Sequence, residues 1–260
     1  MSRDLLAHVI RPDWPAPAHV HALVTTRHGG VSAAPFDSFN LGDHVQDDPA
    51  AVAANRAALE SALNVIAPCA APLWLRQVHG VTVVTPPLDP AARRHWVPEA
   101  DAAQTDHPGV PITVMTADCL PVFFTDLAGS RVAVAHAGWR GLCDGVLEKT
   151  AEHFAVPEQV LVWLGPAIGP ASFEVGDEVR AAFMAQDPAA SEAFTAVPGR
   201  PGHWLGDLYQ LARQRLARIG VTAVSGGGRD TLREQDTFFS FRRDGRTGRM
   251  ASVIWLEARP

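Results

Sequence analysis

Apolar positions along this chain fall into two kinds of run. Short stretches rich in β-branched residues, most with Gly, Pro or Asp near an end, predict strands over Val20–Thr26, Val81–Thr85, Pro111–Thr116, Pro121–Thr125, Val132–Ala135, Val160–Leu164 and Ala251–Leu256. Thr237–Phe241 reads as one more. Other stretches repeat at helical spacing. Asp48 followed by Pro49 reads as an N-cap and first helical residue, opening a helix over Pro49–Leu63. A second helix is predicted over Leu142–Phe154, after a Gly-Trp-Arg-Gly turn. In Leu205–Ile219 the residues Leu205, Leu208, Leu211, Leu216 and Ile219 recur with helical period, and Gly220 stands where a C-cap belongs. Glu178–Met184 is a shorter helical stretch. Pro90–Ala100 and Pro198–Gly202 read as loops, and neither separates independent cores. Helices and strands mix along the whole length without strict alternation. The pattern therefore predicts an α/β domain over 1–260 and not a simple doubly wound sheet.

Composition narrows this picture. With 47% hydrophobic residues over 260 positions the chain has material for a large core. A net charge of -6 argues against a nucleic-acid surface, because the basic residues cluster only over Arg242–Arg249. That cluster is wide enough for one small anion. Three cysteines, Cys69, Cys119 and Cys143, suggest reduced thiols and a cytoplasmic setting. Met1–Asp13 shows no continuous apolar stretch after a basic start, which argues against a secretory signal. The most apolar segment, Val110–Phe124, is interrupted by Pro111, Asp118 and Pro121 and is too broken to cross a bilayer.

Three segments put metal-binding side chains at the ends of predicted strands: Gln77-Val78-His79-Gly80, Thr116-Ala117-Asp118-Cys119-Leu120-Pro121 and His136-Ala137-Gly138-Trp139-Arg140-Gly141. One thiolate and two imidazoles, His79, Cys119 and His136, suit zinc and leave a fourth position open; copper accepts the same donors. No local motif such as Cys-x-x-Cys is present, so spacing alone leaves ordinary packing as the alternative. Asp118 and Arg140 add weight, since charges beside buried strands are costly unless paired.

These three segments, together with Gly165-Pro166-Ala167-Ile168-Gly169, Phe173-Glu174-Val175-Gly176 and Arg242-Arg243-Asp244-Gly245, closely resemble the YfiH-like family, also labelled the multicopper polyphenol oxidase laccase domain. Thr25–Ser32, Asn40-Leu41-Gly42 and Asn55-Arg56 match its N-terminal pattern, so the resemblance runs from about Thr25 to Leu256. One departure is that Ser225–Asp230 lacks the cysteine that family members often carry there.

The resemblance implies a four-layer α/β/β/α sandwich with mixed sheets. It also implies purine nucleoside phosphorylase activity, with added adenosine deaminase and methylthioadenosine phosphorylase activity, and zinc held by His79, Cys119 and His136. The expected partners are purine nucleosides and phosphate, with no nucleic acid or membrane, in a monomer or weak homodimer. Phosphorolysis needs an anion site, and arginine supplies forked donors for phosphate. Arg27, Arg76, Arg140, Arg242 and Arg249 are candidates, Arg140 first because it lies four residues after His136. Cys119, Arg140 and Asp118 are the candidate catalytic residues, with Asp118 either orienting a ligand imidazole or pairing with an arginine. Asn40 and Gln77 join the arginines as candidate substrate contacts, His44 and Glu174 lie near the motifs, and Trp139 and Phe173 are candidate stacking or packing rings. Two other chemistries use the same atoms: Cys119 as the nucleophile of an amidase acting on a cell-wall peptide precursor, or copper-dependent oxidation of phenols. The latter is disfavoured by a single His-x-His pair, His19-Val20-His21.

Overall fold

The computed structural model describes residues 2–258 apart from position 94. Its strands are β1 (Val9–Ile10), β2 (Val20–Thr25), β3 (Val83–Val84), β4 (Ala102–Thr105), β5 (Ile112–Thr116), β6 (Leu120–Asp126), β7 (Val132–Ala137), β8 (Val160–Leu164), β9 (Glu174–Gly176), β10 (Phe194–Ala196), β11 (His203–Gly206), β12 (Ala223–Gly226) and β13 (Met250–Leu256). They form a four-stranded antiparallel sheet, β1-β2-β13-β5, and a six-stranded mixed sheet, β12-β8-β6-β7-β4-β3. In the larger sheet the outer pairs β12–β8 and β3–β4 are parallel and the inner pairs antiparallel. A small antiparallel sheet, β10-β11-β9, lies apart.

Side-chain alternation assigns the layers. On β13, Ile254 and Leu256 face the six-stranded sheet, while Ala251, Val253 and Trp255 face a helix. That helix, Pro49–Ile66, starts where Asp48 caps Ala50 N at 2.9 Å, and it contributes Leu59, Ala62 and Leu63. On β6 and β7, Phe123, Val132 and Val134 meet the four-stranded sheet, and Leu120, Val122, Phe124, Ala133 and Ala135 meet the opposite helical layer. The helices Val146–Ala151 and Leu208–Arg218 supply Val146, Leu147, Leu208, Leu211 and Leu216 there. The result is the expected α/β/β/α stack: two sheets face to face, each covered by helices on its outer side.

Several expected elements differ. Thr237–Phe241 is not a strand; it turns, and Phe238 and Phe239 pack fully buried against Met250 and Ala117. Leu142–Phe154 is two short helices, Trp139–Asp144 and Val146–Ala151, because Gly145 sits between them at φ 103°. Leu205 belongs to β11, and the following helix begins at Leu208, capped by Asp207 onto Gln210 N at 3.0 Å. Only Val83–Val84 of Val81–Thr85 pairs as a strand. The Pro90–Ala100 loop holds a short helix, Pro90–Arg93. No helix among the described residues is long and apolar enough to cross a membrane.

Candidate metal centre

The fold brings His79, Cys119 and His136 together. His136 is next to last on β7 and shares the inter-sheet face with Val132 and Val134. Cys119 directly precedes β6, whose Leu120 and Pro121 pair with Ala137 and His136, so both candidate ligands leave the same end of adjacent strands. His79 arrives on a loop that Gln77 fastens to β5, its amide exchanging bonds with Met115 N at 2.7 Å and Met115 O at 2.8 Å. The three candidate ligand atoms lie within 4.8 Å of one another, and Cys119 Sγ is 3.9 Å from His79 Nε2. Tetrahedral zinc with ordinary bond lengths wants S···N near ~3.6 Å, a few tenths closer. Room for this is preserved at Gly138, where a Cβ would stand 2.7 Å from His79 Cδ2 and 3.1 Å from Cys119 Sγ. The donor set and the space therefore fit a tetrahedral ion.

One residue orients both histidines. Asp101, fully buried, bonds His136 Nδ1 at 2.8 Å, which leaves His136 Nε2 for the centre. Its carboxylate also accepts from the backbone N–H groups of Val78 (3.2 Å), His79 (2.9 Å) and Gly80 (2.6 Å). That grip holds His79 at φ 61°, a left-handed conformation costly for a residue with a Cβ. Burial opposes charge on Asp101, but the His136 bond and the Gly80 and Val78 N–H groups outweigh it and hold its pKa below the usual carboxylate value. Asp101 was not singled out in the sequence. Its only signal there is a lone acid among small residues, Ala100-Asp101-Ala102-Ala103.

Charge at the centre is coupled. Burial works against a Cys119 thiolate, yet the His136 charge and hydrogen bonds from His136 and His79 bring the thiol down to about 6. Burial likewise opposes the His136 imidazolium, and the Cys119 charge and the Asp101 bond raise it to about 9. A thiolate held ready at neutral pH is the form that binds metal.

The centre opens into a cavity of about 540 Å³. Arg56, Arg76, Arg249 and His44 line it with cationic or ionisable groups, and Val97, Met115 and Phe241 with apolar surface. Phe241 is 57% exposed, unusual for a large ring, and begins the short helix Phe241–Asp244. Thr116 also lines the cavity, and its buried Oγ1 has no partner among the described residues.

The other expected site residues distribute differently. Asp118, at φ 94°, bonds Thr231 Oγ1 at 2.6 Å and Arg242 N at 2.7 Å; the carboxylate on the ligand imidazole is that of Asp101. Arg140 is exposed and lies over Trp139, 4.4 Å from the ring centroid, outside the cavity lining. Arg27 is held by the carbonyls of Asp37 and Gln235, and Arg242 by that of Glu174, over Phe173. Asn40 is fully buried, and its side-chain bonds go to Gly42, Asp47 and Arg249 N. Glu174 pairs with Arg200 and His203 on the small sheet. His19 bonds Gly129 O and His21 bonds Glu257, so that pair stands apart from the triad.

Residues 21–257 match the family model described as multi-copper polyphenol oxidoreductase laccase. A purine nucleoside phosphorylase of Pseudomonas aeruginosa is 56% identical over 250 residues, covering 95% of this chain and 98% of that one. Purine nucleoside phosphorylase YfiH of Escherichia coli is 53% identical over 252 residues, 96% of this chain and all of that one. Among solved structures, a Neisseria meningitidis protein superposes with a TM-score of 0.89 at 48% identity, covering 96% of this chain and 100% of that one. YlmD from Geobacillus stearothermophilus gives 0.82 at 33% identity, covering 96% and 97%.

Proposed function

The chain belongs to the multi-copper polyphenol oxidoreductase laccase family, and from that premise we propose that it is a zinc-dependent purine nucleoside phosphorylase working in the cavity around His79, Cys119 and His136. The observation that carries this reading is the shared lining: the thiolate–imidazole triad and three arginines open into one space. Relatives at 53–56% identity named for that activity support the substrate class.

Phosphorolysis joins an oxygen of hydrogen phosphate to C1′ of the ribose and breaks the bond from C1′ to the base. The bonding electron pair leaves with the purine, and the phosphate's proton ends on the base. Arginine side chains hold the attacking dianion, and their fixed positions lower the entropy cost of bringing two reactants together. Phe241, Val97 and Met115 give a purine apolar surface. Zinc, when bound, supplies a Lewis acid that polarises a nitrogen or oxygen of the substrate. Asp101 keeps His136 in one orientation and tautomer throughout. Adenosine deamination and methylthioadenosine phosphorolysis belong to the same proposal, in the same cavity.

One observation favours a second reading. A Cys119 thiol lowered to about 6 beside His136 is also what a cysteine nucleophile for amide hydrolysis needs. Metal binding separates the two, since a zinc-held thiolate is a poor free nucleophile. The deciding experiment incubates metal-replete protein with adenosine, inosine, guanosine and methylthioadenosine, with and without phosphate, and identifies the products. Free base and ribose 1-phosphate (or its methylthio form) are expected only with phosphate. Consumption of no nucleoside defeats the proposal.

A further inference from the structure

Two cavity arginines are built into place by one short segment. Asn40 Oδ1 accepts from both Gly42 N and Arg249 N at 2.9 Å, and Leu41 N donates to Arg249 O at 3.2 Å. Leu41 O accepts from Arg56 Nε at 3.0 Å. Gly42 leaves room for the Arg249 stem; a Cβ there would sit 2.8 Å from Arg249 Cγ. The Arg56 guanidinium lies 4.1 Å from the Trp74 ring centroid, which fixes its plane. A three-residue segment thus sets the path of both cations.

Neither guanidinium is closed by a tight carboxylate pair; the charges nearest Arg249 are those of Cys119 and Asp118, neither in ion-pair contact with it. Arg249 Nη1 bonds only carbonyls, those of Thr247 and Gly248 at 3.0 Å, and no carboxylate pairs with it among the described residues. Arg56 has one carboxylate partner, Asp43, at 3.3 Å; that carboxylate also reaches His44 Nδ1 at 3.5 Å. The Asp43 side chain is 63% exposed and the contact long, so the pair is weak. By contrast Arg76, the other cavity arginine, is closed by Glu99 at 2.5 Å.

We infer that Arg56 and Arg249, positioned by Asn40–Gly42, form the anion subsite of this cavity, and that an oxyanion of the phosphate class displaces the Asp43 carboxylate from Arg56 when it binds. The assignment of orthophosphate as the working anion rests on the proposed phosphorylase reading. Asp43 then acts as a displaceable lid of negative charge that keeps the cationic site paired when no substrate is present.

The test varies phosphate at saturating inosine with metal-loaded protein, and in parallel titrates inorganic phosphate alone, followed by ³¹P NMR. Arg249→Met and Arg56→Met keep the stem and remove the fork; each is expected to raise the phosphate KM and Kd at least ~10-fold while the inosine KM moves less than about threefold. Asp43→Asn is expected to tighten phosphate about threefold or more, a gain that general damage does not produce. If an arginine variant fails to fold, the Asp43→Asn result and Arg249→Lys carry the decision. Unchanged phosphate KM in both arginine variants, with turnover intact, overturns the subsite and leaves the phosphorylase reading standing. Phosphate binding that depends on Arg249 in a protein with no nucleoside turnover does the reverse. Weaker phosphate binding in Asp43→Asn overturns the displacement.

Discussion

Replacing Asp101 by Asn perturbs the centre at the point where both histidines are held. The substitution keeps the size of the side chain and removes its charge and one acceptor. The four bonds at stake are those to His136 Nδ1 (2.8 Å) and to the N–H groups of His79 (2.9 Å), Gly80 (2.6 Å) and Val78 (3.2 Å). If the amide oxygen takes the side facing His136 and His79, its NH₂ confronts the donors of Gly80 and Val78; the flipped amide fails His136 instead. Either way all four donors lose the charge of their acceptor and two of them lose the acceptor itself, bonds to a charged group being worth about 1.5–3 kcal/mol each. Part of that loss falls on the fold and part on ligand orientation. Loss of such outer support weakens metal affinity about 10–100-fold, or ~1.4–2.7 kcal/mol. The assay is competition for zinc against a chromophoric chelator, with the melting temperature of the metal-free variant measured alongside. The variant is expected to fold, to melt several degrees lower, and to bind zinc at least ~10-fold more weakly. A folded Asp101→Asn protein that binds zinc within twofold of the wild type refutes this account of the centre.

Four further outcomes follow, three from the centre and one from the inter-sheet core. Gly138→Ala puts a Cβ 2.7 Å from His79 and 3.1 Å from the Cys119 sulfur, so zinc affinity is expected to fall by an order of magnitude or more, read by the same chelator competition while circular dichroism stays unchanged. In metal-free protein, alkylation of Cys119 by iodoacetamide is expected to be half-maximal near pH 6 and to be blocked by zinc; a midpoint near 9 contradicts the ion-pair description. The lowered Cys119 pKa carries stabilisation that is lost as pH falls through about 6, and the raised His136 pKa carries stabilisation lost as pH rises through about 9, so metal-free protein is expected to be most stable between them. Phe123→Ala removes a fully buried ring stacked on Trp163 between the sheets, and chemical denaturation is expected to show a loss of about 3–5 kcal/mol.

Local chemistry made much of this molecule legible in advance. The strands β5, β6, β7, β8 and β13 are largely apolar runs because they are buried on both faces, and such runs stand out in a sequence. Strand β4, Ala-Ala-Gln-Thr, does not, since its place between β7 and β3 comes from tertiary pairing and not from its own preference. Thr237–Phe241 misled for the opposite reason: its aromatic residues are buried by a turn. The three candidate ligands were readable because each sits in a distinctive motif; Cys119 and His136 stand at strand ends as expected, whereas His79 is carried on a loop before β3. Asp101 and Phe241 were not, because an isolated acid and an isolated ring acquire meaning only when distant segments converge on them. The arginines show the same limit. Proximity along the chain put Arg140 first among candidates that also included Arg76 and Arg249; the cavity is lined by those two and by Arg56, and the placement of Arg56 and Arg249 depends on a contact with Asn40–Gly42 that no spacing reveals.

The most direct test of the central claim is phosphate-dependent release of hypoxanthine from inosine by the zinc-loaded chain, compared with folded Cys119→Ala. The wild type is expected to consume one phosphate for each base released, and the variant to lose zinc and at least ~10³-fold of the rate. A metal-free Cys119→Ala protein that still cleaves inosine at the wild-type rate contradicts the claim that this triad is the reaction centre.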